Sequence, residues 1–206
     1  MLSRLCAVLL AFLYLHPIHA APAQTIVVLG DSLSAAYGIR VDEGWVSLLQ
    51  KRLTSQGYGY RVVNASVSGE TTAGGLARLP RALALHRPAI VILELGGNDG
   101  LRGLSLEQMH ANLDSMIRKS RSAGASVLLA GMRVPPNYGP TYTQKFHALY
   151  ADLAERHSVP LVPFLMEAVA LDKNLMQADG IHPNARGQSL LLDEIWPVLK
   201  SLLGPG

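Results

Sequence analysis

With 206 residues, 49% of them apolar, and a formal net charge of +3, the chain suits one domain with a sizeable core. It has no charge blocks and no low-complexity tracts, which excludes a disordered protein, and no internal repeat. Its Lys and Arg residues are scattered rather than gathered into a stripe, so nucleic acid is not expected as a partner.

The N-terminus reads as a leader. Arg4 and the free amine give a positive start, residues 5–15 form a short apolar run, and Ala21-Pro22-Ala23 matches the A-x-A cleavage pattern. Residues 1–23 are therefore expected to be a signal peptide, cut after Ala20 or Ala23, with 24–206 as the domain. The apolar run is too short to span a bilayer, which favours a leader over an anchor. A periplasmic or secreted protein with no integral membrane span follows. Cys6 lies inside the leader, so the core of the mature protein would do without disulfides.

The first strand is predicted at residues 25–29, Thr-Ile-Val-Val-Leu, and ends in Gly30-Asp31-Ser32-Leu33-Ser34. Residues 43–56 follow as an amphipathic helix, with Trp45, Leu48, Leu49 and Leu53 on one face. Gly57-Tyr58-Gly59 stops it before a second strand at 60–64, which leads into Ser66-Val67-Ser68-Gly69. A helix over 72–86 ends at Arg87-Pro88. The third strand, 89–95, runs into Gly96-Gly97-Asn98-Asp99. Ser105-Leu106-Glu107-Gln108 is a capping box opening a helix to about residue 123. A strand at 126–130, a loop at 135–140, a helix at 141–157, a short strand at 161–162 and a helix at 185–203 complete the chain. This alternation, with strongly apolar strands, predicts an α/β fold in three layers, with an about five-stranded parallel sheet between helices. In such a sheet ligands bind beyond the carboxyl ends of the strands. The motifs that follow the strands should therefore meet in space. A dinucleotide site is not expected, because the first strand–helix turn lacks G-x-G-x-x-G and no Walker sequence is present.

Ser32 lies just past the first strand, where backbone amides would favour a developing oxyanion; a Ser there could also serve only as a cap. The mature chain has five histidines, and His86, His110, His147 and His157 fall in helical stretches among polar residues, as on a solvated face. His182 falls instead in the loop Asp179-Gly180-Ile181-His182-Pro183. A turn of that length can bring the Asp179 carboxylate back to the imidazole Nδ1–H, leaving Nε2 free to take a proton from Ser32. Gly69 allows its N–H to approach a ligand closely, and the Asn98 side chain offers a donor that does not compete as an acid. A serine nucleophile, an Asp–His pair and amide donors point to acyl transfer.

The ordered set Gly-Asp-Ser-Leu, Gly69, Gly-Gly-Asn-Asp and Asp-x-x-His-Pro resembles the SGNH (GDSL) hydrolase family, and within it the exported bacterial thioesterase I, lysophospholipase L1 and arylesterase group. The resemblance covers essentially all of the mature chain. It implies the family's flavodoxin-like fold, with Ser32 as nucleophile, His182 as base and Asp179 as its partner. It also implies an oxyanion hole built from Ser32 N–H, Gly69 N–H and the Asn98 amide. An acyl groove is then expected at Gly100 and Leu101 and at Pro136, Asn137 and Tyr138. Glu70 stands where relatives often carry Asp. The implied substrates are carboxylic esters and thioesters, including aryl esters, lysophospholipids and fatty acyl thioesters, with no cofactor and no metal.

Two other readings compete. Asp31, Asp99, Asp179 and His182 at one sheet edge could hold Mg²⁺ in a phosphohydrolase, and a silent relative could bind lipid without turnover. The chain shows no long amphipathic seam for a coiled-coil dimer, and a monomer is expected.

Overall fold

The computed structural model describes residues 24–204; the leader expected at 1–23 lies outside the described residues. Five strands form one parallel sheet in the order β2-β1-β3-β4-β5. They are β1 (Gln24–Gly30), β2 (Tyr60–Asn64), β3 (Ile90–Glu94), β4 (Ser126–Ala130) and β5 (Leu161–Val162). The central strands are apolar runs, and Ile26, Val28, Leu29, Val91, Ile92, Leu93, Leu128 and Leu129 are fully buried. The edge strand β2 differs from the expectation of strongly apolar strands: Arg61 and Asn64 are exposed.

Among the described residues six α-helices flank the sheet: α1 (Trp45–Ser55), α2 (Thr72–His86), α3 (Gly97–Leu101), α4 (Leu106–Ser122), α5 (Pro140–His157) and α6 (Gln188–Lys200). α1 packs with α6, while α4 packs with α2 and α5, giving the three layers. The buried Gln188 joins the starts of α1 and α6, its Oε1 accepting from the Trp45 N–H at 3.0 Å.

Several boundaries depart from the sequence reading. α1 starts at Trp45, because residues 41–43 form a separate 3₁₀ turn. α6 starts at Gln188 rather than Ala185; Asn184 Oδ1 accepts from the Arg186 N–H, making the intervening residues a turn. α3 was not anticipated. It begins after Gly96, whose φ of 115° lets the chain reverse straight out of β3. His157 is not on a solvated face: its Nε2 lies 2.7 Å from Asp114 Oδ1, with only 12% of the side chain exposed. His110 similarly meets Asp152 at 2.8 Å. Both pairs join α4 to α5.

α3 is fixed by a buried polar set. Asp99 Oδ2 accepts from the Thr72 N–H (2.9 Å) and its Oδ1 from the Thr72 hydroxyl (2.6 Å), while the Asn112 amide donates to Thr72 Oγ1 (3.0 Å). Asp99, Thr72 and Asn112 are all buried, so this set ties α2, α3 and α4 beneath Asn98. Replacing Thr72 with Val keeps the shape but leaves Asp99 and Asn112 each short of a partner. Thermal unfolding should show T72V destabilised by about 1–3 kcal/mol; an unchanged Tm would mean the set contributes nothing to stability.

Candidate active site

β1 leads to β2 on one side, and the chain then crosses to β3 on the other, so the carboxyl ends of β1 and β3 flank the switch point of the sheet. Ser32 lies just beyond β1. Residues 31–38 form consecutive turns rather than a regular helix: Asp31 O accepts from the Ala35 N–H (2.9 Å) and Ser32 O from the Tyr37 N–H (3.2 Å). Asp31 Oδ1 accepts from the Leu33 N–H at 3.1 Å, an Asx turn that holds the backbone on both sides of Ser32. The register pairs Gly30 with Glu94, and a Cβ at Gly30 would stand 2.5 Å from Glu94 Oε2. Glycine at that position lets the turn close over the acid.

His182 arrives from the opposite end of the chain. Its Nε2 is 2.8 Å from Ser32 Oγ and its Nδ1 is 2.7 Å from Asp179 Oδ2. Asp179 Oδ1 accepts from the backbone N–H groups of Ile181 (2.9 Å) and His182 (3.0 Å). Burial raises the Asp179 pKa, but hydrogen bonds from the His182 ring and from these two amides outweigh it and hold the carboxyl at about 2. The loop is closed by the Gln177 N–H donating to His182 O (2.8 Å) and by a bridge between Met176 and Pro183. The Tyr37 ring lies against the imidazole, centroids 4.6 Å apart, and Gln177 Nε2 donates to both Tyr37 O (2.8 Å) and Pro183 O (3.1 Å).

Gly69 sits after β2 with a φ of 78°, a conformation that disfavours side chains. Its carbonyl accepts from Arg102 Nη2 at 2.9 Å. The Ser32 and Gly69 N–H groups donate to no other described residue. Asn98 is the second residue of α3, and its amide donates to Asp31 Oδ2 at 3.0 Å. Ser32, Asp179 and His182 thus form one continuous set, and the Asp31 carboxylate joins Asn98 to the Ser32 turn.

The two loops named for an acyl groove touch each other: the Tyr138 hydroxyl donates to Leu101 O at 2.7 Å. Asn137 and Pro136 are exposed in a short 3₁₀ turn. Gly100 is buried, and a Cβ there would meet Phe146 and Val134 at 2.5 Å, so its role is close packing. Glu70 Oε2 accepts from Arg78 Nε at 2.6 Å, tying the Gly69 loop to α2.

The carboxylates that a metal reading needs do not converge. Both oxygens of Asp99 are taken by Thr72, and among the described residues no three His, Cys, Asp or Glu side chains form a ligand cluster. Sequence reasoning missed the roles of Glu94, Arg102 and Tyr37, whose contacts with the site join residues far apart in the chain or follow no spacing pattern.

The depressed Asp179 pKa has a consequence for stability. The folded value lies below the ordinary 3.8, so the ionised form stabilises the fold above about pH 4, and that share is lost as pH falls towards 2. Because the side chain is 36% exposed, the share is small. The stability difference between wild type and D179N in urea should be constant above about pH 4 and shrink below it; a difference independent of pH down to 2 would contradict this.

The chain is similar to several known proteins along most of its length. The model of the GDSL-like Lipase/Acylhydrolase family matches residues 28–190. The esterase TesA of Pseudomonas aeruginosa is 56% identical over 183 residues, covering 89% of this chain and 91% of that protein. The Escherichia coli K12 thioesterase 1/protease 1/lysophospholipase L1 is 44% identical over 192 residues, covering 93% and 91% respectively. A crystal structure of TesA superposes with a TM-score of 0.86 at 56% identity, covering 87% of this chain and all of that one. From its sequence motifs, its sheet and these matches together, the chain belongs to the GDSL-like lipase/acylhydrolase family.

Proposed function

We propose that the protein is a serine hydrolase of carboxylic esters and thioesters that works through a covalent acyl-enzyme. The observation that carries this reading is the unbroken line Asp179–His182–Ser32, with hydrogen-bond distances of 2.7 and 2.8 Å. Asp179 accepts the Nδ1–H proton and so holds the tautomer in which Nε2 is a base. As Ser32 Oγ attacks the carbonyl carbon, His182 Nε2 takes the hydroxyl proton. The carbonyl oxygen becomes an oxyanion and accepts from the Ser32 and Gly69 N–H groups and from Asn98 Nδ2. Collapse of the tetrahedral intermediate expels the alcohol or thiol, which takes the proton from His182. Water then repeats the attack, releasing the acid and restoring Ser32. Each proton has an acceptor within the set, and no step calls for a metal or cofactor.

The surface around the site supports an apolar acyl group. Tyr37, Val67, Leu104, Tyr138 and Ile181 are large apolar side chains exposed to solvent, and each sits on or beside a loop that carries a site residue. Burying one such side chain against a substrate chain stabilises binding by about 1.5–3 kcal/mol at full burial. Acyl lipids and aryl esters are therefore the proposed substrate class. The charged start and short apolar run at residues 1–23 support export, which would bring the enzyme to envelope lipids. Among the described residues no helix is long and apolar enough to cross a membrane.

Hydrolysis of p-nitrophenyl esters of increasing acyl length by the mature chain tests the reading. Activity should withstand a chelator and vanish in S32A; loss to the chelator alone would favour the metal reading. Rates should rise with acyl length beyond acetate, and a fall from acetate onwards would exclude an acyl-lipid substrate. Asn98→Ala should lower kcat by about 100- to 1000-fold with little change in KM. An equal rise in KM at constant kcat would instead make Asn98 a ground-state binding group.

A further inference from the structure

Glu94 ends β3 directly beneath the Ser32 turn, and its side chain is fully buried. Its Oε2 accepts from the Asp31 N–H (3.2 Å) and the Ser34 hydroxyl (2.6 Å), while Oε1 has no hydrogen-bond partner. No cation is among its partners. Beside it lies Asp31, 3% exposed, whose two oxygens accept from the Leu33 N–H and from Asn98 Nδ2. The reaction described above assigns neither acid a step.

Two carboxylates buried side by side with no cation between them cannot both remain ionised, so the pair must retain a proton. The donors decide which acid holds it. Asp31 has one donor aimed at each oxygen and His182 nearby, whereas Glu94 has both donors on one oxygen and the other bare. Burial first, and then the neighbouring Asp31, push Glu94 well above the ordinary carboxyl range. Burial also raises Asp31, to about 6, but the Leu33 and Asn98 hydrogen bonds and the nearby His182 hold it back. Tyr150 of α5, whose hydroxyl donates to Leu95 O at 3.0 Å, also faces the pair and supplies no positive charge.

We propose that Glu94 is held as a neutral carboxylic acid, leaving the single charge of the pair on Asp31, and that the two are positioning residues for the Asn98 amide. This rests on the esterase reading of the site. An ionised Asp31 can only accept, so it can face only the NH₂ end of Asn98. One amide hydrogen is anchored there and the other is left for the oxyanion. A protonated Asp31 could donate, and Asn98 could then turn its carbonyl oxygen towards the substrate. Neutral Glu94 is what keeps a charge on Asp31 tolerable inside the fold.

The test combines infrared spectroscopy with kinetics on p-nitrophenyl butyrate. Wild type at pH 7 should show the C=O stretch of a buried protonated carboxyl, and E94Q should lack it. Glu94→Leu should lower kcat by about 10- to 100-fold, and E94Q, which keeps the shape of a neutral acid and an oxygen to accept from the Asp31 N–H and Ser34 hydroxyl, should recover most of that loss. Asp31→Asn has only one acceptor for two donors and should lower kcat by about 10- to 100-fold with KM little changed. Absence of the infrared band, or an E94Q as impaired as Glu94→Leu, would overturn the proposal, as would a folded D31N with wild-type kcat. If D31N does not fold, the band and the Glu94 pair decide. The band does not depend on turnover, so failure of the esterase reading, seen as activity surviving in S32A, is read separately.

Discussion

The parallel pairing of β1 with β3 is the constraint on which the site depends. It places Gly30 beside Glu94, so the Ser32 turn and the start of α3 leave the sheet side by side. Because β2 lies on the other edge of β1, the Gly69 loop enters the same crevice from the opposite side. Three loops from three strands thus meet without any segment crossing the sheet. The apolar strands that make this register unambiguous lie fully inside, where a slip would leave the buried Gly30–Glu94 contact without its glycine.

Polar contacts then fix what packing alone would leave loose. Asp31 reaches both the backbone after Ser32 and the Asn98 amide, Arg102 holds the Gly69 carbonyl, and Asp99 locks α3 onto α2. His182 is held differently, in a loop closed by its own backbone and covered by Tyr37. The donors are thus tied to the sheet and its helices, while the base sits on a loop whose geometry depends on Asp179. In the proposed reaction the oxyanion site is thus preorganised, and loss of Asp179 would chiefly affect the base.

Much of this was legible in the sequence, for identifiable reasons. The strands expected at 25–29, 89–95 and 126–130 are apolar runs that only a doubly covered sheet can bury, and the S-x-x-Q pattern at Ser105 marks the start of α4, where the Ser105 hydroxyl accepts from the Gln108 N–H. Asp179 and His182 are three residues apart, so a local turn suffices to join them. What stayed hidden needs the fold before it has meaning. α3 looks like loop sequence because it is five residues long and three of them belong to the Gly-Gly-Asn-Asp motif. Glu94 reads as one polar residue at the end of a strand, and only the register turns it into a buried acid under Ser32. The His157–Asp114 and His110–Asp152 pairs depend on how α4 and α5 cross, which periodicity does not encode.

The measurement that bears most directly on the reaction is mass spectrometry of enzyme quenched during turnover of a p-nitrophenyl ester. A serine acyl-enzyme requires the acyl mass on the peptide containing Ser32, appearing within the first turnover and absent from S32A. Steady hydrolysis with no adduct on Ser32, or with the acyl group on another residue, would contradict it.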